Sequence, residues 1–356
     1  MLAGDPARRL IEEAGETVLD ESAALAGETG SAEETAEEFS LNLVAYVRRA
    51  AGAWRRTVAA FAQVIAESRY DLVIGDETYE IAAALARRPA LKRAPFVMIY
   101  DFVGIDAMTR NPVEHLVAYL WNRAWCGRPV GSAAGGRGPG CIHWRAGGRA
   151  RPSIRLRAAE SPGVRPLLLL VRRIRPGLRP RRLCRPRSVR GALGYDERPL
   201  VVCSVGGTAV GADLLRLCAE AYPHLVASVL DAQMVLVCGP RLDPATVPAP
   251  NGVQARGYVP RLFEHLAACD AAVVQSGGTT TLELTALRRP FVYVPLQGHF
   301  EQQLTVAPRL IRHSAGYRLD FARARPQALA DTIAGLLDSE PTWPPIRTDG
   351  ARRPPS

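Results

Sequence analysis

Short apolar runs alternate with stretches of helical periodicity over most of the chain. In the first third, Asp71-Leu72-Val73-Ile74-Gly75-Asp76 predicts a strand ending in an acidic turn, and residues 95–101 predict a second. Between them 81–88 predicts a helix, and apolar positions at helical spacing predict a long amphipathic one over 41–68. Strands that are apolar throughout and separated by helices point to a parallel sheet covered on both faces.

Beyond residue 190 the same rhythm is clearer. Strands are predicted over 200–205, 233–238, 253–257, 271–275 and 290–295. Helices are predicted over 212–222, over 262–268, from the 276–281 loop through 287, and again from the 296–303 loop. This is the pattern of a Rossmann-type domain of about 150 residues.

The middle breaks the pattern. From Cys126 to Arg190 the chain has 17 arginines, no lysine and a single acid, Glu160. Proline at 129, 139, 152, 162, 166, 176, 180 and 186 forbids long regular elements. The formal net charge of +10 therefore comes from this segment at +16, and the rest of the chain is mildly acidic at −6. Three readings are open: a disordered polybasic linker, an arginine-rich arm for RNA, DNA or anionic lipid, and a translation artefact. A compensated pair of frameshifts fits best. Forty-four arginines against one lysine, Lys92, imply very GC-rich coding DNA, whose other frames yield mainly Arg, Pro, Gly, Ala and Cys. On that reading nucleic acid is not an expected partner.

At 356 residues and 47% hydrophobic content the chain is long enough for two globular domains. No apolar run approaches the roughly 18 residues that span a bilayer, and no basic-then-apolar leader opens the chain. Seven cysteines without a CxxC pair make neither a disulfide framework nor a zinc site. A cytoplasmic protein is expected, with peripheral contact to a membrane left open.

Candidate chemistry sits at strand ends, where parallel sheets carry ligands. Asp76, Glu77 and Asp101 end the first two predicted strands, although helix caps or solvated turn acids account for them equally well. The strongest local feature is strand, Ser276-Gly277-Gly278-Thr279-Thr280-Thr281, then helix. Glycines allow close backbone approach, and a helix N-terminus with unpaired N–H groups suits a phosphate or pyrophosphate. It is not a P-loop, because the lysine is absent. Glu283 follows within reach of a ribose diol. Gly206, Gly207 and Thr208 would face the same crevice. His299, Glu301, Gln302 and Gln303 form a set of polar groups suited to sugar hydroxyls, or a helix cap.

The stretch from Gln275 to Gln303 resembles the donor-binding motif of GT-B glycosyltransferases. It is similar to the family 28 C-terminal domain, the group containing the MurG-type N-acetylglucosaminyltransferases and related to the UDP-glucuronosyl and macrolide transferases. Arg256-Gly257-Tyr258-Val259-Pro260 matches the segment that meets the nucleotide base in these families. The resemblance implies an α/β GT-B fold, two Rossmann-like domains facing a cleft. It covers about 191–340 well and 1–125 more loosely. It implies a nucleotide-sugar donor, usually UDP-linked, an acceptor held by the N-terminal domain, and inverting transfer with no metal or other cofactor. By motif, Gly277 to Thr281 would hold the diphosphate, Glu283 the ribose, Glu301 and Gln302 the sugar, and Tyr258 with the Val259 backbone the base.

Two departures qualify this. The family begins with a strand and a Gly-rich loop, whereas residues 1–9 resemble its second strand and helix. The N-terminal domain is therefore expected to be incomplete, and Asp76 and Asp101 are only candidates for the general base. The segment 126–190 also replaces the end of the acceptor domain and the linker. Four regions are expected: a partial acceptor domain over 1–125, the anomalous 126–190, a donor domain over 191–340, and a disordered tail over 341–356. Weak donor binding and poor turnover follow. The alternatives are a non-catalytic sugar-nucleotide binder or polybasic adaptor, and a UDP-sugar 2-epimerase.

Overall fold

A computed structural model describes residues 1–4, 7–25, 36–37, 40–41, 43–99, 105–126, 140–141, 189–207, 209–346 and 348. Most of the anomalous 126–190 segment therefore lies outside the described residues, as do Asp101 and Thr208. The chain divides into two compact units. Unit 1 comprises Met1–Glu34, Leu43–Arg172 and Arg352–Ser356, and unit 2 comprises Thr35–Asn42 and Arg173–Ala351.

In unit 1, helix α1 (Ala7–Glu13) is followed by the long helix α2 (Leu43–Glu67). Ala50, Ala53, Thr57, Ala60, Phe61, Val64 and Ile65 are buried, the three- and four-residue spacing of one helix face. Strand β1 (Val73–Asp76), helix α3 (Tyr79–Arg87), strand β2 (Phe96–Ile99), helix α4 (Pro112–Cys126) and strand β3 (Gly140–Cys141) complete its main elements. The strands form a parallel sheet in the order β1-β2-β3. Its core joins Phe61, Ile65, Ile81, Leu85, Phe96 and Met98. The expectation that 71–76 is covered on both faces is corrected: Leu72 is 49% and Ile74 61% exposed.

Unit 2 holds a six-stranded sheet, every pairing of which is parallel. In chain order its elements are β4 (Leu200–Ser204), α5 (Ala212–Ser228), β5 (Gln233–Val237), β6 (Val253–Arg256), α6 (Leu262–Ala268), β7 (Ala271–Gln275), α7 (Gly278–Leu287) and β8 (Phe291–Val294). A π-helical turn (Glu301–Val306), α8 (Ala307–Arg312), β9 (Tyr317–Arg318) and α9 (Pro326–Leu337) follow. The strand order is β9-β8-β7-β4-β5-β6. The chain moves outward from β4 to β6, then crosses to β7 on the other side of β4 and moves outward again. The boundary between β4 and β7 is thus the topological switch point, where open α/β sheets bind ligands beyond the carboxyl ends of their strands.

Side chains alternate strictly across this sheet. Val201, Cys203 and Val273 pack with Leu214, Cys218, Leu225, Leu329 and Ile333 of α5 and α9. Leu200, Val202, Ala272 and Val274 pack on the other face with Leu266, Leu284 and Leu310 of α6, α7 and α8.

Three sequence expectations about extent change here. Helix α5 runs to Ser228 rather than 222, straight through Pro223. The helix interior forfeits a backbone bond at the proline, but Leu225 beyond it is fully buried. Arg190, counted with the anomalous segment, is 4% exposed and belongs to unit 2. Its guanidinium pairs with Asp270 and donates to Ala268 O at 2.9 Å, and Asp270 also accepts from Leu200 N–H at 2.8 Å. Within 341–346, expected as part of a disordered tail, Trp343 is packed against unit 2. Trp343 is 6% exposed, meets Phe291 edge to face at 5.9 Å, and donates from Nε1 to Thr285 O at 3.1 Å.

Candidate functional site

The carboxyl ends of β4 and β7 carry the two glycine loops. After β7 comes Ser276, fully buried, then Gly277 as the N-terminal cap of α7 in extended conformation (φ −64°, ψ 136°) without a side-chain cap bond. The first intrahelical bond is Thr281 N–H to Gly277 O at 3.1 Å. The N–H groups of Gly278, Thr279 and Thr280 precede it, at the positive end of a ten-residue helix. Thr281 is different. Its side chain is fully buried and its hydroxyl donates to Gly277 O at 2.9 Å, so it serves the helix rather than the loop surface.

Glu301 reaches this helix end from the π-helical turn. A Cβ on Gly278 would sit 3.4 Å from Glu301 Oε1, which places the carboxylate beside the first residue of the helix. The second loop interlocks with the strand end next to it. Gly206 (φ +85°) and Gly239 (φ +76°) both occupy left-handed backbone, and a Cβ on Gly239 would lie 2.3 Å from Gly206 O. Only glycine fits both demands at 239. Gly206 and Gly207 remain exposed.

Beneath these loops are polar atoms to which sequence reasoning assigned no role. Ser204 Oγ, Gln275 Oε1 and Ser276 Oγ are buried without a hydrogen-bond partner in the protein. They cluster by position at the ends of the two strands flanking the switch point, where buried polar groups are ordinarily paired. Their signal in the sequence was faint: a polar residue closing each apolar run.

Glu283 is 4% exposed in the second turn of α7. It lies three and four residues beyond Thr280 and Thr279, hence on their face, and helical side chains lean toward the N-terminus. Val259 is 8% exposed and its side chain joins the core, and Tyr258 beside it is 42% exposed.

The 296–303 junction is a structured turn. His299 N–H bonds Leu296 O at 3.3 Å, and Leu296 N–H donates to Gln302 Oε1 at 2.8 Å. Gln303 is engaged at both ends of its amide: Nε2 donates to Leu296 O at 3.2 Å, and Oε1 accepts from Arg318 at 2.8 Å. The amide expected to read sugar hydroxyls therefore ties the turn to β9. Pro308, lacking an N–H for Leu304 O, lies two residues beyond the π-helical turn. His299 stacks on Phe300 at 6.0 Å, and its buried Nδ1 has no partner. Burial pushes its pKa down to about 4, so the ring is neutral at physiological pH.

Asp76 ends β1 in unit 1 and is exposed, with Glu77 beside it in left-handed backbone (φ 55°). Among the described residues, no three His, Cys, Asp or Glu side chains gather as a metal site. No helix is long and apolar enough to cross a membrane, among the same residues.

Residues 201–347 match the glycosyltransferase family 28 C-terminal domain. The matched stretch lies within unit 2. The family 28 match takes in β4 through α9 and the packed Trp343 segment. A stretch of 162 residues is 33% identical to a UDP-N-acetylglucosamine–N-acetylmuramyl-(pentapeptide) pyrophosphoryl-undecaprenol N-acetylglucosamine transferase of Mycolicibacterium vanbaalenii, covering 44% of this chain and 39% of that protein. An uncharacterized glycosyltransferase of Methanopyrus kandleri is 28% identical over 143 residues, 40% of this chain and 39% of the relative. The chain thus spans about two fifths of the length of these curated relatives. Its fold is similar to the crystal structure of the glycotransferase of kitacinnamycin, with a TM-score of 0.52 at 16% identity over 95% of this chain and 82% of that one. The fold class is α/β, GT-B.

Proposed function

We propose that this chain is a glycosyltransferase whose unit 2 binds a nucleoside-diphosphate sugar. The observation that carries the reading is the convergence at the switch point of an uncapped helix N-terminus, two glycine loops and the Glu301 carboxylate within a family 28 domain. The diphosphate would lie on the N–H groups of 278–280 and against Gly206 and Gly207, where the helix dipole and close backbone donors favour an anion. Glu283 would take the ribose diol, the Val259 backbone the base, and His299, Glu301 and Gln302 the sugar hydroxyls. UDP is the favoured nucleotide, because the Mycolicibacterium relative is named for UDP-N-acetylglucosamine.

Transfer would proceed with inversion. The acceptor oxygen forms a bond to the anomeric carbon as the bond from that carbon to the β-phosphate oxygen breaks. The electron pair leaves with the diphosphate, stabilised by the α7 N-terminus in place of a metal. The hydroxyl proton passes to a general base, for which Asp76 and Asp101 are the candidates from the sequence.

A second reading, a sugar-nucleotide binder with little transfer, is favoured by the exposure of Leu72 and Ile74 in unit 1. Ligand-observed NMR with a panel of UDP-sugars, followed by a transfer assay, separates the two. Donor binding that falls at least tenfold in Glu283→Ala is expected for both readings, and product formation decides between them. Equal binding by that variant would refute the ribose assignment, and no binding by the wild-type chain would refute the function.

A further inference from the structure

The loop between β6 and α6, residues 257–261, carries Tyr258 and Val259 and is closed by one hydroxyl from a distant part of unit 2. Tyr195, five residues before β4, is 7% exposed and buried in the core with Val259 and Phe263. Its OH accepts a hydrogen bond from Arg256 Nη1 at 3.2 Å and lies 2.7 Å from His265 Nδ1. Arg256 ends the strand that enters the loop, and His265 stands on the short helix that leaves it. The tyrosine therefore bridges the loop's two ends.

The polarity of the chain is consistent throughout. Burial, and then the Arg256 charge, lower the His265 pKa, so its ring is neutral and Nδ1 is free to accept. Tyr195 stays protonated, its pKa raised by burial, and donates to that nitrogen. Arg256 donates in turn to Tyr195, holds its Cζ 5.0 Å from the Tyr195 ring centre, and grips Gln254 Oε1 at 2.9 Å. At the far end, Arg261 takes left-handed backbone (φ 54°) and pairs with Glu264, so the loop is fixed at both shoulders. No residue of this network carries any of the diphosphate, ribose or sugar roles above.

We infer that Tyr195, through Arg256 and His265, is a positioning residue for nucleobase recognition: it holds the 257–261 loop in the shape that discriminates the base of the donor. The inference rests on the donor reading above and deepens it. A hydroxyl that only filled the core would affect stability without affecting which nucleotide binds. One that sets the loop affects the base and leaves the diphosphate subsite, on α7, untouched.

The test uses the full chain and three probes: UDP, ADP and inorganic pyrophosphate. Tyr195→Phe keeps the ring and its contact with Arg256 and removes only the hydroxyl, so folding is retained; His265→Gln is the second variant. In Tyr195→Phe, UDP affinity is expected to fall about fivefold, the scale of one net hydrogen bond. The preference for UDP over ADP should narrow by the same factor while pyrophosphate affinity holds. The His265 variant should act in the same direction, and the double variant should add little to either. Unchanged UDP affinity, or UDP and pyrophosphate falling together, would overturn the inference while leaving the donor reading in place. Failure of the wild-type chain to bind UDP would overturn both, and Glu283→Ala run alongside shows which has failed.

Discussion

The two units are built from the same alternation of apolar strands and amphipathic helices, yet they bury their strands very differently. In unit 2 every residue of β4, β5, β7 and β8 is buried, because helices cover both faces of the sheet. In β1 of unit 1 only Gly75 is buried, and Ile74 stands 61% exposed. An apolar run specifies a strand that wants two covered faces; whether it obtains them depends on the partners that the rest of the chain supplies. The difference teaches that a strand's hydrophobicity and its contribution to stability are separate quantities.

The largest expected contrast comes from one kind of truncation in each unit. Leu266→Ala, at a fully buried site, should cost about 4 kcal/mol of unit 2 stability by chemical denaturation, from lost burial plus a cavity. Ile74→Ala should cost no more than about 0.5 kcal/mol, as at other exposed sites. Equal losses would erase the distinction between the units. Trp343→Ala should cost unit 2 about 3 kcal/mol, since the ring is buried against Phe291; a neutral result would return 341–346 to the status of a tail. Asp270→Ala should cost somewhat less, about 2–3 kcal/mol. It strands the buried Arg190 guanidinium and the Leu200 N–H, although the carboxylate itself is a third exposed, which weakens the pair.

The smallest effect is one of pH. His299 is depressed from 6.5 to about 4 by burial. Below pH 6.5 the unfolded chain takes up a proton that the folded site refuses, so the stability this residue contributes is full above pH 6.5 and declines as the pH falls toward 4. His299→Asn should flatten that part of the stability profile. His265, lowered in the same direction, keeps a share of the slope in the variant. A profile identical to that of the wild type would show the His299 ring to be solvated.

Much of unit 2 was legible because its elements are local and strongly patterned. The bounds of α6 and β7 match the expected 262–268 and 271–275 to the residue. The end of α5 was not legible, since Pro223 is a local stop signal that tertiary burial of Leu225 overrides. The glycine loops and Glu301 are candidates from residue type and order in the sequence, and the structure brings Gly278 and Glu301 together. What each side chain does there was not readable: Thr281 turns inward to its own helix, and Gln303 ties a turn to Arg318. Least legible were contacts without periodicity. Tyr195 and His265 are 70 positions apart, and Trp343 is a lone aromatic among prolines.

The central claim is that unit 2 is a nucleotide-sugar donor domain with its diphosphate at the α7 N-terminus. The most direct measurement is amide chemical-shift mapping of the isotope-labelled full chain during titration with UDP. The account predicts saturable shifts at Gly206, Gly207, Gly277, Gly278, Thr279, Thr280 and Val259, with the amides of β1 and β2 unmoved. Saturable binding that leaves the 277–280 amides in place, or shifts confined to unit 1, would contradict it.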